Sequence, residues 1–576
     1  MALQHSSLGS SKVGLKRLIS RFCKDSSATV TQIFALSSIP FFLAAGAAID
    51  GARINDEHSK FMAAIDTAVI AVAADDRAAV QSLEGEALEA RMAELEDLAA
   101  EYVKKNYNSS GDIAVDLEIT GQKVKLDASF QFPTTIMSLV GIDEINMNAS
   151  STVQKAMRPI ELVMVMDTTG SMASSGKIDG AKTAAHSLLN TLYGGSLGSE
   201  PRSEFLRTAL VPFAAAVRLD TASHDFDLNW IDTAGANYLS KINFDAASAP
   251  AAWNNYYAWG RLKRTSTAFH TWNGCVEARA RGTGSTDYHN NDAAPSTAQP
   301  NTLFPAYFAV DTPSEGSFGY NYISKGSPTS VNTECYGLTT TQCDSTSTTN
   351  RRLKQENYRK YDGRNIGAES TGSNGPWSGC AVSKIVPMTY DRAKVEAGID
   401  LMTASGPTNI GEGLAWGWRA ISPTQPFTKV EGSGSLPNTT ISPYGDPRWQ
   451  KVIVLMTDGD NDLSPGSYGF NNTIYSANGL AGESLTYNRF GTTNSSEVET
   501  AMDNDMLSVC TKVKDAGIAL YVASFGSGVS TATRTRLQSC SSGTGYYQHA
   551  SAPSDLAAFF NHIGQDVINK SIYVSK

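Results

Sequence analysis

The chain has no surplus of positive charge. Its 47 Lys and Arg are outnumbered by 57 Asp and Glu, leaving a formal net charge of −10. A nucleic-acid partner calls for a basic footprint, and no basic stripe offsets this balance. Histidine is sparse, and no C-x-x-C pair occurs, so the ligand spacing of a structural zinc site is absent. No complete phosphate-binding loop is present either. Gly170 and Gly176-Lys177 follow an apolar run, but five residues separate the glycines where the pattern has four, and Ile178 stands where a Ser or Thr is required. Gly194-Gly195-Ser196-Leu197-Gly198 spells a nucleophile elbow, yet it follows a helical pattern and not a strand. No general base is paired with a nucleophile at a recognised spacing. Neither nucleotide binding nor enzymatic hydrolysis is expected.

Long apolar runs are also scarce. One spans about Ala28 to Ile49, and it is as long as a bilayer core requires. Lys12, Lys16, Arg17, Arg21 and Lys24 precede it; Asp50, Arg53, Asp56 and Glu57 follow. The positive excess on the leading side predicts a cytoplasmic basic leader (1–28), a transmembrane helix (29–49) and an exported remainder. The expected location is the inner membrane, single pass, with the bulk periplasmic or surface-exposed. Ala45-Gly46-Ala47 also fits a signal-peptide cleavage site. The long leader, and helical sequence that continues past the run without a break, favour an uncleaved anchor. Pro40 inside the run is tolerated in membrane helices, usually with a kink.

Cysteine usage agrees with export. Cys23 precedes the run, and an even set follows it: Cys275, Cys335, Cys343, Cys380, Cys510 and Cys540. Cys510 lies near the end of a helical pattern and Cys540 beyond the next strand, a gap that can return the chain to one end of a sheet. Cys335 and Cys343 are close in sequence. Six cysteines allow fifteen pairings and sequence alone does not choose among them; the expectation is Cys510 with Cys540 and Cys335 with Cys343, a set that would leave Cys275 with Cys380.

Residues 50–155 read as a helix-plus-β-hairpin connecting module, with a plain spacer as the alternative. Phe61, Ile65, Val69 and Val72 mark one helical stripe, and Leu88, Met92, Leu95, Leu98 and Tyr102 another. The two form one long helix or a pair broken at Gly85. Asp112 to Ile119 alternates, Gly121-Gln122 makes a turn, and Val124, Leu126, Ala128 and Phe130 alternate back, a hairpin with one wet face.

From residue 156 to 576 apolar strand patterns alternate with helical ones, which predicts a parallel, doubly wound α/β sheet. Ile160-Glu161-Leu162-Val163-Met164-Val165-Met166 reads as a doubly buried strand, followed by Asp167-Thr168-Thr169-Gly170-Ser171. Leu206 to Phe213, Lys451 to Met456 and Ile518 to Phe525 are further strands. Helices are expected after the first loop, at Tyr390 to Met402, through Trp416 and Trp418, through Met502 to Val513, and at Ser554 to Asn569. Ser496 and Glu499 suggest a capping box for the fourth of these. Two insertions interrupt the pattern, at about 220–386 and 464–493. The first holds Trp230, Trp253, Trp259, Trp272 and Trp377, an aromatic density that argues for a folded, stapled insertion and not a linker.

Asp167, Thr169 and Ser171 can be presented from one tight loop, and all offer hard oxygen, the ligand type of Mg²⁺ and Ca²⁺. A polar loop, Gly406-Pro407-Thr408-Asn409, opens a later helix, and Thr457-Asp458-Gly459 ends a second apolar strand. These segments, in this order, resemble the von Willebrand factor type A domain, a Rossmann-like α/β fold whose metal-ion-dependent adhesion site uses Asp-x-Ser-x-Ser, then a Thr, then an Asp. The resemblance implies Asp167, Thr169, Ser171, Thr408 and Asp458 as ligands, with Thr169 where the pattern usually has Ser. It implies a divalent cofactor, Mg²⁺ first and Mn²⁺ or Ca²⁺ as alternatives, that binds an Asp or Glu of a protein partner. Asp458-Gly459-Asp460-Asn461-Asp462 is acid-rich but lacks a full calcium loop, so a solvated loop is expected.

The N-terminus carries a second resemblance. The basic leader, Ile33-Phe34-Ala35-Leu36, Ala44-Ala45-Gly46-Ala47-Ala48-Ile49-Asp50-Gly51-Ala52-Arg53 and the Ala-rich Ala63 to Ala71 are similar to TadG-type proteins of the TadE/TadG group, which assemble Flp (tight adherence) pili in Gram-negative bacteria. The combined expectation is an envelope-anchored, metal-dependent adhesion or assembly factor that meets pilus or envelope components. The rivals are a structural anchor with a metal-free type A domain and a metal-dependent hydrolase.

Overall fold

A computed structural model describes residues 29–574, apart from 79, 81–84, 108–111, 121–122, 195–203, 283–286, 315–320, 371–373, 425, 464–474, 481–488, 491 and 493. The basic leader 1–28, the turn at 121–122, the elbow-like residues 195–198 and most of the insertion at 464–493 lie outside the described residues. Contacts divide the chain into two compact units, residues 1–156 with 574–576, and residues 157–573.

In the first unit, α1 (Thr29–Ala74) is one helix of 46 residues with Pro40 inside it. Its two halves differ chemically. Phe34, Ile39, Phe41, Phe42 and Ile49 are exposed, whereas Phe61, Ile65, Ala68, Val69 and Val72 are fully buried. Among the described residues no helix is long and apolar enough to cross a membrane. The side chains of residues 29–33, 35 and 36 are not among those described. The helical stripes form a broken pair: α2 (Glu86–Asn106) starts after Gly85, whose φ of 58° is the left-handed conformation that glycine adopts without steric cost. Leu95, Ala99 and Val103 of α2 meet the buried stripe of α1 over Val124, Leu126 and Phe130.

The hairpin is present as β1 (Ala114–Thr120) and β2 (Lys123–Pro133), with Leu117 opposite Leu126. It is only part of the sheet. A third strand, β3 (Glu144–Met157), pairs antiparallel with β2, with Met147 opposite Phe130 and Ala149 opposite Ala128. Its inward positions are Ile145, Met147, Ala149, Ser151 and Val153, and the small Ala149 and Ser151 interrupt the period-2 signal at its middle.

The second unit is built on a six-stranded sheet. Its strands are β4 (Ile160–Asp167), β5 (Leu206–Phe213), β6 (Val386–Thr389), β7 (Gln450–Thr457), β8 (Ala519–Phe525) and β9 (Tyr547–Ala550), and their order is β9-β8-β7-β4-β5-β6. β4 lies parallel to β5 and β7, and β7-β8-β9 continue in parallel. All eight residues of β4 and of β5 are buried, as the unbroken apolar runs require of strands covered on both faces. Alternation assigns side chains to layers. Leu162, Met164 and Met166 pack with α3 (Lys177–Gly194), α4 (Arg392–Asp400) and α8 (Pro553–Ser571). Val163 and Val165 pack with α5 (Ile410–Ile421) and α6 (Ser495–Asp515) on the opposite face.

Three details depart from expectation. The sheet is not purely parallel, because β6 emerges from the insertion and runs antiparallel to β5 as a four-residue edge. The cap of α6 is Asn494, which accepts from the Ser496 N–H at 2.9 Å, so the helix begins ahead of the proposed Ser496–Glu499 box. A ten-residue helix, α7 (Thr531–Cys540), and strand β9 complete the final crossover.

The first insertion is folded. Trp253, Trp259 and Trp377 share a core with Phe244, Phe308 and Tyr361, and Trp230 packs in the main core beside Phe304 and Trp416. Every residue of α5 is buried, because the insertion covers the face that such a helix normally shows to water. Arg419 on that helix donates to the His289 carbonyl at 2.8 Å. The disulfides are Cys275–Cys380, Cys335–Cys343 and Cys510–Cys540, with Cα separations of 6.2, 5.2 and 5.1 Å. They are the same pairs that chain position suggests.

Candidate metal centre

The strand order decides where a ligand can sit. The chain leaves β4 toward β5 on one side and, much later, forms β7 on the other. The connections after β4 and β7 therefore diverge and open a crevice at the carboxyl ends of these two strands. Asp167 is the last residue of β4, and Asp458 follows the last residue of β7. Both carboxylates are fully buried.

Asp167 is held at both oxygens. Oδ1 accepts the Thr169 N–H at 2.8 Å, and Oδ2 accepts the Thr457 hydroxyl at 2.7 Å. The Thr169 and Ser171 hydroxyls lie 3.0 Å apart. Ser171 donates to Asp458 Oδ1 at 2.5 Å. The third loop arrives through the Gly170 N–H, which donates to the Gly406 carbonyl at 2.7 Å. Thr408 stands at the same place: a Cβ on Gly459 would lie 3.8 Å from Ser171 Oγ and 4.0 Å from Thr408 Oγ1. The structure thus brings Asp167, Thr169, Ser171, Thr408 and Asp458 together. Thr169 and Thr408 are buried, whereas Ser171 is exposed, so the cluster opens to solvent on the Ser171 side.

Burial, and then the negative charge of Asp458, push the Asp167 carboxyl up to about 6, against the hydrogen bonds from Thr169 and Thr457. Burying one carboxylate beside another is costly unless a cation compensates. One cation is present that the sequence reading did not place here. Lys177 Nζ donates to Asp458 Oδ2 at 2.6 Å, with its side chain only 14% exposed. Lys177 entered the sequence reading only as the lysine of a failed phosphate loop. The available signal was its position in the first turn of the helix that follows the Asp-x-Thr-x-Ser loop. Gly526 makes room for it, since a Cβ there would stand 3.1 Å from Lys177 Cε.

The donor set fits a hard divalent ion. It holds carboxylate and hydroxyl oxygens with no nitrogen or sulfur ligand, and Lys177 balances only one of the two carboxylates. Among the described residues no group of three or more His, Cys, Asp and Glu is placed to hold a metal. This cluster is not of that kind, because three of its five donor side chains are hydroxyls and only two are acids. The acid-rich loop that follows is structural and not simply solvated. Asp460 accepts the Ser530 N–H at 2.9 Å, Asn461 accepts the Ile410 N–H at 2.9 Å, and the Asp462 backbone bridges to Thr408. The insertion borders the cluster: a Cβ on Gly406 would lie 3.5 Å from the Gly379 carbonyl oxygen, and Cys275–Cys380 staples that stretch.

Comparison with known proteins gives one sequence match. Residues 28–75 match the family model described as "Flp pilus-assembly TadE/G-like". No curated protein matches the chain. Similar solved structures include the pilus adhesin SpaC of Lactobacillus rhamnosus GG in its open conformation, at 9% identity and a TM-score of 0.31, covering 80% of this chain and 34% of SpaC. This chain therefore spans about a third of that adhesin's length. The vWF domain of the type V pili tip protein Mfa5 of Porphyromonas gingivalis gives 10% identity and a TM-score of 0.31, covering 73% of this chain and 98% of that one. Proximal thread matrix protein 1 of the mussel byssus, with a zinc-occupied MIDAS motif, gives 11% identity and a TM-score of 0.19, covering 73% and 97%. Overall likeness at this level assigns neither fold nor function, so the sequence match stands by itself. Over residues 28–75 the chain carries the TadE/G-like segment of Flp pilus-assembly proteins, in agreement with the apolar run and Ala-rich helix that suggested it.

Proposed function

We propose that the second unit is a von Willebrand factor type A-like domain, and that the chain is an envelope-anchored adhesion or assembly factor of a Flp-type pilus. The domain would bind a protein partner through a divalent ion held by Asp167, Thr169, Ser171, Thr408 and Asp458. Mg²⁺ suits the donor set best, with Mn²⁺ and Ca²⁺ as alternatives. The observation that carries this reading is the convergence, at the switch point of the sheet, of oxygen side chains from three separate loops around an incompletely balanced pair of buried carboxylates. When bound, such an ion supplies an electrophilic position that a partner's Asp or Glu completes. The chain's own residues set its strength. Hydroxyls are neutral donors, Asp167 and Asp458 are fixed by hydrogen bonds before any ion arrives, and the exposed Ser171 side leaves a path for a partner group. Capture of Flp-pilus and envelope proteins by the purified full chain, with Mg²⁺ and then with chelator, tests the reading. Capture that is indifferent to chelator overturns it.

The Lys177–Asp458 pair favours a second reading, a structural domain in which the ammonium replaces the ion. Lys177→Met separates the two. Under the metal reading it removes a competing cation, so Mg²⁺ affinity measured by calorimetry should rise about tenfold, a change of about 1.4 kcal/mol. Under the structural reading neither protein binds Mg²⁺. Hydrolysis gains no support: Ser524 Oγ lies 2.9 Å from His549 Nδ1, but Ser524 is fully buried.

The same proposal includes the membrane anchor. Its support is the charge-free run 29–49, the basic leader and the exposed apolar side chains along that half of α1. A reporter active only in the periplasm, fused after Lys576, is expected to be active. Activity of a cytoplasm-only reporter at the same position would refute this topology.

A further inference from the structure

The loop between β2 and β3 is apolar where a loop should be polar. From Thr134 to Ile142 it carries no charge, and its tip is a short 3-10 turn, Met137–Val140, closed by Gly141 at φ 87°. Leu139 is 78% exposed, Val140 55% and Ile142 42%. Exposed apolar clusters of this kind mark a surface that something covers.

The loop is not free to swing. The Asp50 carboxylate, itself 1% exposed, accepts the Ile136 N–H at 2.7 Å and the Met137 N–H at 2.8 Å. Arg53 bonds both Asp50 and the Thr135 hydroxyl. Ile136 is seated directly on α1 at Gly46. A Cβ at that glycine would come within 2.2 Å of Ile136 Cγ2, so a larger residue would force the loop off the helix. The loop is therefore fixed on α1 between residues 46 and 53. That is the stretch where the apolar run ends and the first charges, Asp50 and Arg53, begin.

We propose that the segment Ile136–Ile142 is a second membrane contact, lying in the leaflet on the exported side beside α1. Leu139, Val140 and Ile142 enter the acyl boundary, and Arg53 sits at the level of the lipid phosphates. This rests on the reading of residues 29–49 as the membrane anchor. A bilayer is the occupant that the observations favour, because the loop is uncharged and stands at the depth where the helix changes from apolar to charged. Apolar residues at such a boundary gain by burial in the interface, and a basic side chain there meets anionic headgroups. Two attachments, helix and loop, would fix the tilt and rotation of the first unit on the membrane, where a helix alone leaves rotation open.

The test uses the full chain in phosphatidylethanolamine–phosphatidylglycerol nanodiscs, with Cys23→Ser to remove the one cysteine outside the three disulfides so that only the introduced thiol is labelled. A nitrobenzoxadiazole label is placed by Leu139→Cys, with Val140→Cys as a repeat, Phe41→Cys as the anchor reference and Glu118→Cys as the water reference. Dithionite reads access from water, and spin-labelled lipid reads contact with acyl chains. The expected result is dithionite reduction several-fold slower at 139 and 140 than at 118, together with quenching by the lipid spin label. Protection at 41 with water-like reduction at 139 and 140 overturns the loop contact and leaves the anchor standing. Water-like reduction at 41 as well overturns both. Protection at 139 without lipid quenching means that protein covers the loop, and it also overturns the proposal.

Discussion

Asp167→Asn is expected to abolish divalent-metal binding and, at neutral pH, to stabilise the metal-free protein. The two effects share one cause. The Asp167 carboxyl is pushed up to about 6, first by burial and then by the charge of Asp458. Its folded value lies above its ordinary value of 3.8, so its contribution to stability is fully present below 3.8 and is lost as pH rises through about 6. At pH 7 the ionised group costs the metal-free fold about 3 kcal/mol, at 1.36 kcal/mol per pH unit. Asn removes that cost while keeping the shape. Its oxygen still accepts the Thr169 N–H, and the Thr457 hydroxyl can turn to the Gly459 carbonyl, 3.3 Å away. In the wild type an added ion offsets the same repulsion, so Mg²⁺ should raise the melting temperature more at pH 7.5 than at pH 5. Asp167→Ala should lose binding as well, without the gain in stability, because it removes the acceptor of both hydrogen bonds. Thr169→Ser should be nearly silent, since the hydroxyl survives. Calorimetry with Mg²⁺ and Mn²⁺, paired with thermal melts in chelator, checks all of these. Equal metal binding by wild type and Asp167→Asn would end the metal reading and leave the Lys177-paired structural domain in its place.

What was legible in the sequence follows from what each element rests on. β4 and β5 could be read because a strand buried on both faces must be apolar at every position, and that signal is local. The acids that end β4 and precede Gly459 were visible for the same reason. Thr408 was not readable locally; the order of segments in a known family pointed to it. The elements that went unread lack local signal. β6 has four residues, Val386-Pro387-Met388-Thr389, and takes its direction from the insertion before it. β3 presents Ala149 and Ser151 toward the core, where larger apolar residues would have announced it. Lys177 became part of the site only because β7 lies beside β4 and brings Asp458 to it across 281 residues. The interior of the insertion is the extreme case. Its stability draws on buried charges whose partners are far apart in sequence, and no local periodicity encodes such pairs.

Lys360→Met should be the more damaging substitution for the fold. Lys360 and Asp311 are both 0% exposed, with Nζ 3.0 Å from Asp311 Oδ2 and a second bond to the Asp311 carbonyl at 2.9 Å. The same carboxylate accepts the N–H groups of Tyr322 and Ile323 at 2.7 Å each, and Glu334 lies close enough for its charge to matter. Burial, then the charge of Asp311, push Glu334 up to about 7, against the pull of Lys360. Lys360 is thus the cation that lets buried acids coexist under the aromatic core of Phe308 and Tyr361. Removing it leaves the acids uncompensated, at a cost of about 3–5 kcal/mol. The acids are held above their ordinary range, so the loss should grow as pH rises past 7 and ease toward pH 5 as they take up protons. The double variant Asp311→Asn/Lys360→Met removes charge of both signs and should recover a large part of the stability, which a merely steric role for Lys360 would not allow. Denaturant unfolding read by tryptophan fluorescence suits the question, because Trp253, Trp259 and Trp377 lie in that core. A single variant as stable as wild type at pH 8, or a double variant no better than the single, would show that the insertion does not depend on this pair.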